Sequence, residues 1–214
     1  MRPTSLPTAP TSKWMATVVL FMCDLVSWIR ERYGVKYLLF SLYLLSAVAA
    51  IDRNCDYLSA FALIWFMGLS LRLLDDLASL AIDRRDHPQR TLCRSNYIPG
   101  LIASYFALVV AVSMMLPAQA MVSWVVLNMM LGVCYRIRSP HRIWLILLKY
   151  PWLVCIGAGS VRLSVIGSMI FAVFINEILH DAIWLGHDAT RGAHVLRHAL
   201  FLAEGVYFWT SRAT

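Results

Sequence analysis

Apolar residues run through most of this chain in blocks, and polar residues interrupt the blocks at intervals of about one bilayer thickness. Seven blocks approach the roughly 20 residues that a membrane-crossing helix needs. They are Tyr37–Ile51, Tyr57–Leu74, Tyr97–Leu116, Ala118–Cys134, Ile143–Gly159, Leu163–Ile183 and Val195–Trp209, the first and last being short. Ahead of them, residues 1–13 are rich in Pro, Thr and Ser, the composition of a disordered tail. Trp14 to Tyr33 is an apolar stretch interrupted by Asp24 and closed by Arg30, Glu31 and Arg32. No small-residue cleavage site follows it cleanly, so it reads as an interfacial helix rather than a signal peptide. The pattern predicts an all-α polytopic membrane bundle of about seven transmembrane helices plus that N-terminal helix, forming one domain over residues 14–214.

Composition agrees. Of the 214 residues, 60% are hydrophobic and only 14% charged, with a mean hydropathy of +0.66. A soluble domain is nearer 45–50% apolar and about 25% charged. Disordered, collagen-like and secreted disulfide-scaffold classes are excluded. Cys23, Cys55, Cys93, Cys134 and Cys155 are scattered, with no C-x-x-C pair, and suit small hydrophobes in apolar runs.

The net charge of +7 takes its meaning from where it sits. With seven spans, one set of connections holds Arg2, Lys13, Arg30, Arg32, Lys36, Arg84, Arg85, Arg90, Arg94, Arg136, Arg138, Arg142, Arg191 and Arg197. The opposite set holds only Arg53, Arg162 and Arg212, while Arg72 and Lys149 fall within spans. Lys and Arg accumulate on the cytoplasmic side, which places the N-terminus and the long polar loops there. The basic charge therefore faces a lipid surface, and nucleic acid is not implied as a partner.

Acidic residues concentrate in two segments that begin in apolar runs and emerge on the basic side. Asp75, Asp76, Asp83 and Asp86 lie in Leu71–Arg94, and Glu177, Asp181 and Asp188 in Asn176–Gly192. An acid near the bilayer centre costs roughly 2.5–3.5 kcal/mol on insertion scales, so the placement needs a reason. Arg72, Asp76, Ser79 and Asp83 stand at i, i+4, i+7 and i+11, one stripe of a helix. Glu177, Asp181, Trp184 and Asp188 repeat the spacing. Two such stripes make a carboxylate-walled cavity whose mutual repulsion asks for a cation. Hard oxygen ligands favour Mg²⁺, with phosphate oxygens completing its shell. Arg72, Arg84, Arg85, Arg90 and Arg142 are candidates to hold the rest of a diphosphate. For Lys149, mid-span, snorkelling of the ammonium to the interface is the competing expectation.

The run from Arg72 to Leu92, R-x-x-D-D-x-x-S-x-x-x-D-R-x-x-H-P-x-R-x-L, resembles the first aspartate-rich motif of the UbiA-type intramembrane prenyltransferases. E-I-x-H-D at Glu177–Asp181, with Asp188 and Gly192 beyond, resembles the second. Tyr135 with Arg136, Arg138 and Arg142 resembles the family's tyrosine-and-basic element between them. The likeness covers roughly Ser27 to the C-terminus. It implies a UbiA-like bundle that binds a prenyl diphosphate and transfers the isoprenyl group to a small, typically aromatic acceptor within the membrane. In that scheme Asp76, Asp83, Asp181 and Asp188 hold Mg²⁺ directly or through water, with Asp75 and Glu177 as auxiliaries. Arg72, Tyr135, Arg142 and Lys149 grip the diphosphate.

The chain departs from the family at Ser79 and Trp184, where aspartates are usual, and stops after about seven spans where relatives commonly have nine. A terpene cyclase of the same fold, a catalytically inactive relative acting as a partner subunit, and a membrane transporter stay open as alternatives. A histidine-ligated metal enzyme is disfavoured. His180, His187, His194 and His198 are spaced suggestively, but the chain has only six histidines.

Overall fold

The computed structural model describes residues 11–137, 142–185, 199–200, 202–208 and 210, and within them all side chains but those of 11–13, 35–36, 142–144 and 176–185. Among the described residues every regular element is helical. In chain order these are α1 (Thr11–Arg32), α2 (Val35–Ile51), α3 (Tyr57–Asp86), α4 (Thr91–Arg94), α5 (Ile98–Met115), α6 (Ala118–Cys134), α7 (Arg142–Leu147), α8 (Lys149–Ala158) and α9 (Leu163–Leu185). Residues 199–200, 202–208 and 210 are also helical. The first six expected apolar runs thus fall on helices, and the seventh lies partly outside the described residues.

Local chemistry sets the boundaries. Asp56 caps α3, accepting from the backbone N–H groups of Leu58 and Ser59. Pro88, just beyond the last turn of α3, cannot continue it. Pro99 sits in the first turn of α5, where its missing N–H costs nothing. Gly159 ends α8 with φ of 65°, a left-handed conformation that favours glycine. Two boundaries differ from the sequence expectation. α1 begins at Thr11, inside the expected tail. The run Ile143–Gly159 is divided at Leu148 between α7 and α8. Pro151 explains the division, because it lacks an N–H and its ring crowds the carbonyl four residues back, that of Leu147.

α3 is central, packing against α2, α5, α8 and α4. The larger core cluster joins α2, α3, α6 and α8 around Ala47, Ile64, Met67, Trp124, Leu127 and Leu153. A second sets Trp28 of α1 among Leu73, Leu92, Leu101 and Tyr105. One polar chain inside the bundle is satisfied: Tyr105 Oη donates to Asn128 Oδ1 at 2.9 Å, and Asn128 Nδ2 to the Trp124 carbonyl at 2.8 Å.

Many large apolar side chains face outward. α5 turns Ile102, Phe106, Val110 and Met114 outward as an exposed stripe at helical spacing, a patch that a water-soluble monomer rarely presents. By length and composition α3 and α5 are each able to cross a membrane. Trp14–Arg32 and Tyr37–Ile51, bent by 71° at their junction, pass the same test as one broken span. α3, with 30 residues, is about 45 Å long, well beyond a hydrocarbon core of about 30 Å. Its four acids all lie after the apolar run Tyr57–Leu74, in the C-terminal part of the helix.

Candidate functional site

The expected stripe on α3 is present. Arg72 Nη2 pairs with Asp76 Oδ1 at 3.1 Å, one turn away. Ser79 Oγ reaches the Asp76 carbonyl at 3.4 Å and Asp83 Oδ2 at 3.2 Å. Asp76 is almost fully buried, and its second oxygen is taken from another helix: Trp28 Nε1 donates to Oδ2 at 2.8 Å and Arg32 Nε at 2.9 Å. Asp83 is buried as well, with Arg90 Nη1 on its Oδ1 at 2.7 Å.

Asp75, on the adjoining face, is paired with Lys149 at the start of α8. The break at Leu148 sets Lys149 in the first turn of that helix, and its ammonium lies inside the bundle, 5.2 Å from the Tyr150 ring centroid. Snorkelling, the competing expectation for Lys149, is excluded, since the residue is 3% exposed. Arg72 lies within electrostatic range of Asp76, Asp75, Tyr150 and Tyr33. These contacts join α1, α3 and α8 in one constellation.

Aromatic rings border it. Tyr33 and Tyr37 have centroids 3.9 Å apart, Trp65 lies 5.4 Å from Tyr33 and 5.1 Å from Tyr37, and Phe61 extends the group from Trp65 at 5.7 Å. Phe40 meets Tyr150 edge-on at 4.9 Å. Such faces carry negative quadrupole density, suited to a cation.

The α3 half of the expected carboxylate cavity carries counter-charges of its own, while the second acidic stripe lies outside the described side chains. Each carboxylate of the α3 stripe already faces a basic side chain of the chain itself. Around Asp75 and Asp76 stand Arg32, Arg72 and Lys149, one positive charge in excess among the described residues. That excess, beside apolar and aromatic walls, suits an anion.

Among the described residues no three His, Cys, Asp or Glu side chains come together as a metal site. Asp76 and Asp83 have both oxygens engaged. Asp75 keeps one buried oxygen, Oδ1, with no hydrogen-bond partner, and the buried Tyr135 hydroxyl has none either. An orphaned carboxylate oxygen is a hard ligand atom of the kind Mg²⁺ takes, so Asp75 fits a metal as one ligand. Asp76 and Asp83 stand two helical turns apart, about 10 Å along the axis, too far to share one ion.

The remaining expected site residues are placed less fully. Glu177 and Asp181 lie on α9 and Arg142 opens α7, but their side chains are outside the described set, and Asp188 is outside the described residues altogether. Arg85 pairs with its neighbour Asp86 in solvent, and Arg84 and Arg136 are exposed. Trp28, Arg32, Tyr33 and Tyr37 were not singled out from the sequence. The spacing of Asp24, Trp28 and Glu31 at i, i+4 and i+7 was the available signal, because that face docks. Asp24 Oδ2 accepts from Ser95 Oγ at 2.7 Å, and Glu31 Oε2 from the Thr91 backbone N–H at 2.9 Å.

No family model, curated protein or solved structure matches the chain.

Proposed function

We propose that the protein is a multi-pass membrane prenyltransferase of the UbiA type. In this reading seven spans cross the bilayer, the N-terminus and the aspartate-bearing loops face the cytosol, and a prenyl diphosphate reacts with a small aromatic acceptor. The observation that carries it is the gathering of Arg32, Arg72 and Lys149 around Asp75 and Asp76, one positive charge in excess among the described residues, beside the rings of Tyr33, Tyr37 and Trp65.

The chemistry follows from those groups. Arg72, the most exposed of the three, and Arg32 meet the diphosphate and offer charge where the leaving group becomes more negative as the allylic C–O bond breaks. Asp76 holds both guanidiniums in place. Tyr33, Tyr37 and Trp65 present ring faces to the carbocation, and the apolar bundle keeps water from quenching it. Bound Mg²⁺ supplies further charge neutralisation of the diphosphate. Asp75 Oδ1 would hold it from α3, together with Glu177, Asp181 and Asp188 from the second acidic segment.

A second reading, a partner subunit that binds the substrate without turning it over, is favoured by one observation. Asp76 and Asp83 have every carboxylate oxygen engaged by the chain's own donors. One experiment separates the two. Purified protein in lipid nanodiscs with Mg²⁺ and labelled prenyl diphosphates of several lengths releases pyrophosphate if it is the enzyme, and Arg72→Gln and Asp75→Asn each reduce the rate at least about a hundredfold. Binding without release identifies the subunit. Neither binding nor release with any donor overturns the proposal.

A further inference from the structure

We propose that Trp28 is a positioning residue of this site: its indole N–H fixes the Asp76 carboxylate, which in turn holds Arg72 toward an incoming diphosphate. The inference rests on the prenyl diphosphate reading above and adds Trp28 to the working parts of the site.

Trp28 is 1% exposed, packed among Leu73, Leu92, Leu101 and Tyr105. A tryptophan serving only as an apolar anchor needs some acceptor for its one polar atom, and a nearby backbone carbonyl suffices. This one meets a buried carboxylate at 2.8 Å. Hydrogen bonds to charged groups are stronger and more directional than neutral ones. With Trp28 and Arg32 both on Oδ2, the plane of the carboxylate is fixed, and Oδ1 is the oxygen left for Arg72. The Arg72 side chain is 38% exposed against 3% for Asp76, so Arg72 is the member of the chain of contacts that an outside anion can reach.

The register of α1 is itself held. Asp24 on Ser95 and Glu31 on the Thr91 N–H lie one turn before and one turn after Trp28, on the same helix face. The Tyr33 ring packs beside the indole in an edge-to-face arrangement, the ring centroids 6.0 Å apart. Rotation of the indole away from Asp76 is blocked by this packing, so the N–H is presented before any substrate arrives.

The test uses the full chain in lipid nanodiscs and inorganic pyrophosphate with Mg²⁺ as the calorimetric probe. Trp28→Phe keeps an aromatic ring at the position but removes the donor, and weakens pyrophosphate binding about tenfold. Trp28→His, which restores a ring N–H, recovers part of the loss. Because Trp28 acts through Asp76, Trp28→Phe costs nothing further in an Asp76→Asn background. Wild-type affinity in Trp28→Phe, or losses that multiply in the double variant, overturns the inference and leaves the proposed function standing. No pyrophosphate binding by the wild type overturns both. Should Trp28→Phe fail to fold, the Trp28 indole N–H resonance decides. It shifts between wild type and Asp76→Asn, and an unmoved resonance overturns the inference.

Discussion

The Tyr37 hydroxyl of α2 stands 1.9 Å from the place that a β-carbon on Gly68 of α3 would occupy. The two helices approach so closely here because Gly68 has no side chain, and the phenol fills the space. Tyr37 packs tilted against Tyr33 and edge-to-face with Trp65, so it cannot withdraw without opening the aromatic group beside Arg72. Gly68→Ala is therefore expected to destabilise the protein by about 1–3 kcal/mol, the usual cost of overpacking. Gly68→Ala combined with Tyr37→Phe, which removes the colliding oxygen but leaves Cζ at 3.1 Å, recovers part of that loss. Thermal unfolding in detergent checks both, and an unchanged midpoint in the single variant contradicts the close approach.

The Asp75–Lys149 pair makes a second prediction. Lys149 is buried and Asp75 nearly so, so removing one partner leaves a charge without compensation. Lys149→Met should cost about 3 kcal/mol, the lower end for a broken buried pair because Asp75 keeps some exposure. Lys149→Met with Asp75→Asn should cost clearly less than the sum of the singles. A double-mutant cycle on chemical unfolding reads the difference, and additive losses would show that the two charges do not stabilise one another.

The sequence carried the helices well and the site unevenly, for physical reasons. The stripe from Arg72 to Asp83 was legible because helical spacing alone brings i and i+4 side chains together. The inward direction of Lys149 was not, because it depends on the helix break ahead of Pro151 and on which face of α8 meets α3. Trp28 and Arg32 were hidden for a related reason. Their partner Asp76 is 48 and 44 residues away, and no local spacing reports a contact between α1 and α3. The basic partners Arg32, Arg90 and Lys149 escaped local spacing as well, because they come from other elements that only tertiary packing brings near the α3 acids.

Acid should loosen the connection between α2 and α3 in a defined direction. The Asp56 carboxylate titrates below its usual range, first because the Ser59 hydroxyl donates to it, then because the backbone N–H groups of Ser59 and Leu58 do. A group whose folded value is depressed adds stability that is complete above its unfolded value and disappears as pH falls through the folded one. Wild type should therefore exceed Asp56→Ala in stability at neutral pH, and the gap should close on acidification below about pH 4. Unfolding midpoints of both proteins across that range provide the check; a gap that persists unchanged at low pH refutes this role for the cap.

Glu204 poses a different problem of burial from the aspartates. It lies on the helical residues 202–208, 9% exposed, and none of the ion pairs among the described residues involves it. Its oxygens are met by hydroxyls instead: Tyr43 Oη of α2 donates to Oε2 at 3.0 Å, and Ser168 Oγ of α9 donates to Oε1. The contact thus ties three helices together through one side chain. Tyr43→Phe leaves the ring in place, against Phe208, but strips Oε2 of that donor, and should cost about 1–3 kcal/mol. Glu204→Gln keeps an acceptor for one hydroxyl and offers an N–H to the other, so it should be milder than Glu204→Ala, which leaves both hydroxyls facing a void. The order Gln, then Ala, in loss of thermal stability is the signature of a satisfied polar junction. Equal losses in the two variants would mean that Glu204 contributes bulk alone.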